Sequence, residues 1–213
     1  MIRKKSNTCI CAVKSKRGKI WIAADRKASW DFSKAQSMPR PKIIKRDGVI
    51  LGGTGSGYLC TLMVDILTIP ERKKESLDIY IHMIFKEHVR EELINQGYTE
   101  EHNLLKIPKE EEAEILIVIE GHLYSMIICN PDEQGDYSNG FGMIMIDEVG
   151  LPFGTGCGGQ IAWGALLENA DLYIKEEDKD PRKLTEKERL IRAVEKACEV
   201  SPGCGLPIDV LSE

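Results

Sequence analysis

Apolar and polar positions alternate over residues 8–14 and again over 19–25, with Lys16, Arg17 and Gly18 between them, and this pattern predicts a β-hairpin. Residues 49–51 predict another strand that ends in glycines, and residues 57–67 a helix that stops before Pro70. From about 74 to 96, Leu77, Ile81, Ile84, Phe85, Val89 and Leu93 recur at helical spacing, a stripe that belongs in a core. Residues 97–112 are polar and predict a loop, with Glu110, Glu111 and Glu112 as a solvated face. The apolar runs 115–119 and 123–129 predict a second hairpin about Gly121, and 143–146 a further strand. Helices are expected at about 160–172 and 186–200, the second opened by Thr185 and Glu188 in a capping-box pattern. A short strand over 207–211 closes the chain. Strands, a helical stretch, more strands and then a helical pair do not alternate as βαβ units. That order predicts an α+β protein in which sheets pack together under a cover of helices.

Composition narrows the field. The 213 residues suit one domain with a real core, and 42% hydrophobic and 30% charged content is ordinary for a globular chain. Net charge is −5, from 29 basic and 34 acidic residues, which excludes nucleic-acid binding driven by global charge. No apolar run is long enough for a transmembrane helix, so no membrane partner is expected. Residues 1–7 are basic without the apolar centre of a signal peptide, and the expected compartment is the cytoplasm.

Metals and disulfides find little support. The seven cysteines, at 9, 11, 60, 129, 157, 198 and 204, are odd in number and scattered, which is no disulfide framework. Cys9 and Cys11 lack the gap of zinc ligands and would share one face of a strand. His82, His88, His102 and His122 show no ligand spacing. No metal and no cofactor is expected.

The candidate chemistry lies at the first hairpin. Thr8 opens it, Asp25 ends its second strand, and Lys42 follows beyond. Threonine is a weak nucleophile that needs a base within reach, and its own α-amino group can serve once exposed. That amine titrates near ~8, close to the pH at which a general base works best. Singly, Thr8 reads as a strand residue, Asp25 as a turn former and Lys42 as a surface charge. Together they form a self-contained nucleophile: hydroxyl, terminal amine, and a lysine held by a carboxylate.

Two glycine loops accompany this set. Gly52 and Gly57 have P-loop spacing, but Tyr58 and Leu59 stand where Lys and Ser/Thr would hold phosphate and magnesium. Gly154, Gly156 and Gly159 fit a dinucleotide pattern literally, yet the charged stretch 175–179 follows where a strand ending in an acid is required. Nucleotide binding is therefore disfavoured. The other use of such loops is to aim backbone N–H groups at a developing oxyanion, worth about 10²–10³ in rate per donor.

Residues 22–29, the Lys42-Ile43 pair, the loop 51–57 and the segment 153–169 together resemble, in order, the proteasome β-subunit and HslV-type peptidase family. The resemblance runs from Thr8 to about Val210 and is weakest between 60 and 112. It implies a four-layer α-β-β-α sandwich of the N-terminal-nucleophile (Ntn) hydrolase, proteasome-like kind. It further implies residues 1–7 as a propeptide-like extension and 8–213 as a single domain. By the same resemblance, Gly55 supplies the oxyanion-binding amide and the Ser29 backbone pairs with an extended substrate. Either Thr155 or Cys157 stands in the place of a supporting serine. Ser201 and Cys204 fall where many proteasome subunits have a supporting acid and its neighbour.

The implied activity is a threonine endopeptidase that cleaves unfolded polypeptide through an acyl-enzyme on Thr8. Implied partners are further copies of the chain in a ring and an ATP-dependent unfoldase. Thr8 is preceded by seven residues, and Asn7 replaces the glycine that usually precedes the cut, so activity is expected only after the Asn7–Thr8 bond is broken. The alternatives are a non-catalytic ring subunit that never frees Thr8 and a small-molecule amidase on the same fold.

Overall fold

The computed structural model describes residues 8–31, 34–101, 104–108, 110–130, 141–168 and 184–213. The extension 1–7 and the last residues of the helix expected at 160–172 lie outside these. The first sheet runs in the order β12 (Pro152–Thr155), β1 (Ile10–Lys14), β2 (Ile20–Asp25), β13 (Ile208–Ser212), and every neighbouring pair is antiparallel. The second runs β11 (Phe141–Met145), β10 (His122–Ile128), β9 (Ala113–Ile119), β6 (Val49–Gly55), β5 (Ile43–Arg46), again antiparallel. A separate hairpin joins β3 (Lys27–Asp31) to β4 (Lys34–Ser37).

The two faces of each strand explain the layering. In β1, Ile10 and Ala12 point between the sheets, where they meet Ile22, Ala24, Ile50, Leu116, Val118 and Leu123. The alternate residues Cys9, Cys11 and Val13 point the other way, against Leu190, Ala193, Val194 and Ala197. Those belong to α5 (Glu186–Val200), which packs beside α4 (Gly159–Glu168). On the far side of the second sheet, Leu51, Ile115, Ile117 and Met126 bury Leu59, Met63, Phe85, Val89 and Leu93. These come from α1 (Gly57–Cys60) with its π-type continuation Thr61–Ile66, and from α2 (Leu77–Ile79), a π-type stretch Tyr80–Phe85 and α3 (Lys86–Asn95). The result is a four-layer α-β-β-α sandwich with three apolar interlayers. Because a sheet covered on both faces needs no polar side, residues 115–119 read as an unbroken apolar run. The capping box at Thr185 is present, its hydroxyl bonded by the Glu188 N–H at 3.3 Å.

The stretch 97–112 departs from expectation. It contains a small hairpin of β7 (Thr99–Glu101) and β8 (Leu104–Lys106), anchored because Leu105 and Ile107 join the core under α3. Glu111 and Glu112 are half-buried, and Glu111 accepts a hydrogen bond from the Tyr98 hydroxyl, so only Glu110 of the three is fully solvated. Strand β12 and the β3–β4 hairpin were not foreseen either: the first is a short glycine-containing segment, the second a polar one, and neither shows a clean alternation. No helix among the described residues is long and apolar enough to cross a membrane.

Candidate active site

Asp25 occupies the centre of the site. It ends β2 on the rim of the first sheet, is 0% exposed, and has every carboxylate lone pair directed at a donor. Oδ1 accepts from Lys42 Nζ at 2.7 Å and from the Cys9 N–H at 2.9 Å. Oδ2 accepts from the N–H groups of Lys27 and Gly205, each at 3.0 Å. A buried charge is tolerated only when paired and hydrogen-bonded, and this one is both.

Lys42 precedes β5, and its carbonyl accepts the Gly53 N–H at 3.3 Å, which draws it against β6. Its ammonium, on a side chain 8% exposed, also donates to the Lys27 carbonyl at 2.5 Å. A lysine so held cannot wander into solvent. It presents a fixed positive charge beside Asp25 and beside the peptide that links Thr8 to Cys9.

Thr8 itself is 7% exposed. Both ends of the Thr8–Cys9 peptide group are gripped. Its N–H goes to Asp25, and its carbonyl accepts the Gly158 N–H at 3.1 Å. Gly156 lies so close that a Cβ there would stand 2.2 Å from the Thr8 carbonyl oxygen, and its φ of +79° favours glycine in any case. The late glycine loop is thus a clamp on Thr8, with no space for a side chain at Gly156 or Gly158.

Cys157, in the same loop, places its sulfur 3.9 Å from the Thr8 carbonyl oxygen and 3.5 Å from the Ser201 hydroxyl. Next to it, the Cys204 sulfur lies where a Cβ on Gly158 would stand 2.4 Å away. Interaction with Cys204, with help from Ser201 and backbone hydrogen bonds from Thr8 and Gly158, holds the half-buried Cys157 thiol below its ordinary range against the opposing effect of burial. The same interaction and burial drive Cys204 upward, so Cys157 loses its proton first. Of the two residues left open as the supporting group, Cys157 therefore lies against Thr8. Thr155 hydrogen-bonds instead across the interlayer, 2.9 Å from Thr54 Oγ1.

Gly55, exposed at the end of β6, has φ +114°, and a Cβ would fall 2.3 Å from the Glu112 carbonyl oxygen. Ser29 lies in β3 opposite Ala35 of β4. A cavity of about 490 Å³, lined by Asp47, Arg72, Tyr80, Glu120 and Glu213 among others, includes none of these site residues. No cluster of metal-ligating side chains occurs among the described residues.

Sequence reasoning missed a second polar centre. Glu114, inside the apolar strand β9, accepts from Ser125 Oγ at 2.6 Å and from the Thr155 hydroxyl, which in turn meets Thr54 beside Gly55. An acid interrupting the apolar run 113–119 was the available signal. The donors Gly158 and Gly205 leave none, because a backbone N–H looks alike everywhere in a sequence.

Two packed antiparallel sheets between helical layers make a proteasome-like α-β-β-α fold. Solved structures agree across nearly the whole chain. Thiobacillus denitrificans BPH is similar at 18% identity and TM-score 0.66 over 97% of each chain, and the BPH structure in complex with Epoxomicin at 17% and 0.66 over 97% and 98%. Eukaryotic HslV from Trypanosoma brucei is similar at 17% identity and TM-score 0.60, over 96% of this chain and 98% of that one. Anbu (ancestral beta-subunit) from Yersinia bercovieri is similar at 14% and 0.60, over 96% and 81%. The sequence matches no protein-family model and no curated protein. At these identities the likeness establishes the fold.

Proposed function

We propose that the chain is a threonine endopeptidase of the proteasome β/HslV kind, competent once residues 1–7 are removed. The observation that carries this reading is the Asp25–Lys42 pair, buried and fully hydrogen-bonded, whose carboxylate also binds the N–H next to Thr8. A structural ion pair would not need to meet the peptide N–H that follows Thr8.

In the proposed reaction the Thr8 hydroxyl attacks a peptide carbonyl while the freed α-amine takes its proton. The nearby Lys42 cation lowers the basicity of that amine and keeps it neutral at working pH. Asp25 holds Lys42 in place. Negative charge on the carbonyl oxygen is met by the Gly55 N–H, and collapse expels the new amine and leaves an ester on Thr8. Water, deprotonated by the same amine, then releases the acyl group. Before cleavage the Thr8 nitrogen is an amide with no proton-accepting lone pair, so the uncut chain is inert. Cys157, Ser201 and Cys204 position Thr8 from the other side, and the β3 backbone around Ser29 pairs with extended substrate.

The named neighbours extend the proposal to a homo-oligomeric ring, which an ATP-dependent unfoldase would feed with polypeptide. Intact mass and hydrolysis of unfolded casein test the core reading. A chain that begins at Thr8 and cleaves casein supports it. A chain that stays at Met1 and hydrolyses nothing supports the non-catalytic ring subunit instead, and hydrolysis of small acyl-amides alone supports an amidase.

A further inference from the structure

Cys157 and Cys204 are brought together from loops 47 positions apart, one before α4 and one after α5. The Cys204 sulfur packs so tightly on Gly158, the residue next to Cys157, that a Cβ there would lie 2.4 Å from it, and each thiol is the strongest influence on the other's ionisation. Exposure divides them: Cys157 is half-buried and reachable, whereas Cys204 is 2% exposed behind it. From this geometry we infer that Cys157 and Cys204 form a peroxide-responsive dithiol that closes to a reversible disulfide beside Thr8.

The chemistry balances with hydrogen peroxide as oxidant. The Cys157 thiolate attacks one peroxide oxygen, the O–O bond breaks, and a sulfenic acid and hydroxide result. The Cys204 sulfur, losing its proton to that hydroxide, attacks the Cys157 sulfur. An S–S bond forms, the S–O bond breaks, and the second oxygen leaves as hydroxide, which takes up the proton that Cys157 gave up on becoming a thiolate and so ends as water. Two thiols lose two electrons in all, and one peroxide becomes two waters. A small dithiol reductant reverses the exchange.

Selectivity follows from surroundings. Cys9 and Cys11 are fully buried in β1, and burial pushes the Cys11 thiol up to about 12. Burial likewise raises Cys60 to about 12, Cys198 to about 11, and Cys129. Cys157 is the one cysteine whose neighbours favour the thiolate, the form that reacts. Ser201, 3.5 Å from its sulfur, is a further donor to that form.

The bond would tie together the two loops that hold the site. Gly158, next to Cys157, donates to the Thr8 carbonyl, and Gly205, next to Cys204, donates to Asp25. It would also remove the thiol that faces Thr8. Resting on the peptidase reading, the expected consequence is a fall in hydrolysis that reductant reverses.

The test begins with chemistry that needs no activity. The full chain is treated with hydrogen peroxide at neutral pH, blocked with maleimide and digested without reduction. Peptide mapping should find Cys157 joined to Cys204, two hydrogens lighter than the separate thiols, and freed by dithiothreitol. In Cys204→Ser, Cys157 should instead accumulate as a sulfenic acid that dimedone traps. The proposal is overturned if Cys157 stays open to maleimide at peroxide concentrations that oxidise reduced glutathione. It is equally overturned if Cys157 pairs with Cys9 or Cys198, or passes to sulfinic acid with no disulfide. Undiminished peptide hydrolysis by fully cross-linked protein would refute the regulatory consequence. Absence of hydrolysis in both reduced and oxidised states would count against the peptidase reading and leave the mapped disulfide standing.

Discussion

Thr8 is held from two sides by unlike chemistry. On one side a buried carboxylate has every lone pair satisfied by short bonds to an ammonium and three backbone N–H groups. On the other, the Cys157 thiol makes a long, soft contact of 3.9 Å to the Thr8 carbonyl and is itself 3.5 Å from the Ser201 hydroxyl. The first side fixes a charge, and any loss there leaves an unpaired ion in the interior. The second only supports a position, and it is where the proposed disulfide would form. Under the proposed function, such a site separates what must stay constant, the charge beside Thr8, from what can change.

The sharpest break in that contrast is Lys42→Ala. It removes the cation that keeps the proposed base neutral, and in the chain beginning at Thr8 it should lower kcat/KM for a peptide by roughly 10⁴-fold or more, since nucleophile and base act as a unit. Asp25→Asn comes next. It leaves Lys42 buried beside a neutral amide and should destabilise the fold by about 3–5 kcal/mol, read from denaturant midpoints at unchanged slope. Glu114→Ala tests a half-buried carboxylate with fewer partners than Asp25. Depriving the hydroxyls of Ser125 and Thr155 of their acceptor should cost about 1–3 kcal/mol in the same assay. Ser201→Ala, on the soft side, should change stability by about 1 kcal/mol or less, since the 3.5 Å contact of its hydroxyl to the Cys157 sulfur is long. A Ser201 loss as large as the Asp25 loss would erase the difference between the two sides.

The sequence made the charged side legible and the soft side only half so. Asp25 and Lys42 stand out because an acid at the end of an apolar strand and a lysine before another need a reason to be there. The layered fold was readable because strand and helix periods are strong over 8–25, 74–96 and 115–129. Three kinds of feature escaped. Strand β12 is four residues with a glycine, and its partner lies more than a hundred positions away, so no local period marks it. The 99–106 hairpin is polar on its surface and fixed by two buried side chains that a polarity profile averages away. The choice between Thr155 and Cys157 depends on which face of a glycine turn meets Thr8, and that is decided by Gly156 and Gly158 lying against its carbonyl.

The central claim is that Thr8 becomes a nucleophile only when its own nitrogen is freed. The most direct measurement compares three purified proteins against unfolded casein, each verified by intact mass: the chain produced to begin at Thr8, the chain beginning at Met1 with its Asn7–Thr8 bond intact, and Thr8→Ala. The first should cleave casein, and the other two should not. Hydrolysis by the intact Met1 chain at the rate of the Thr8 chain, undiminished by Thr8→Ala, would contradict the account.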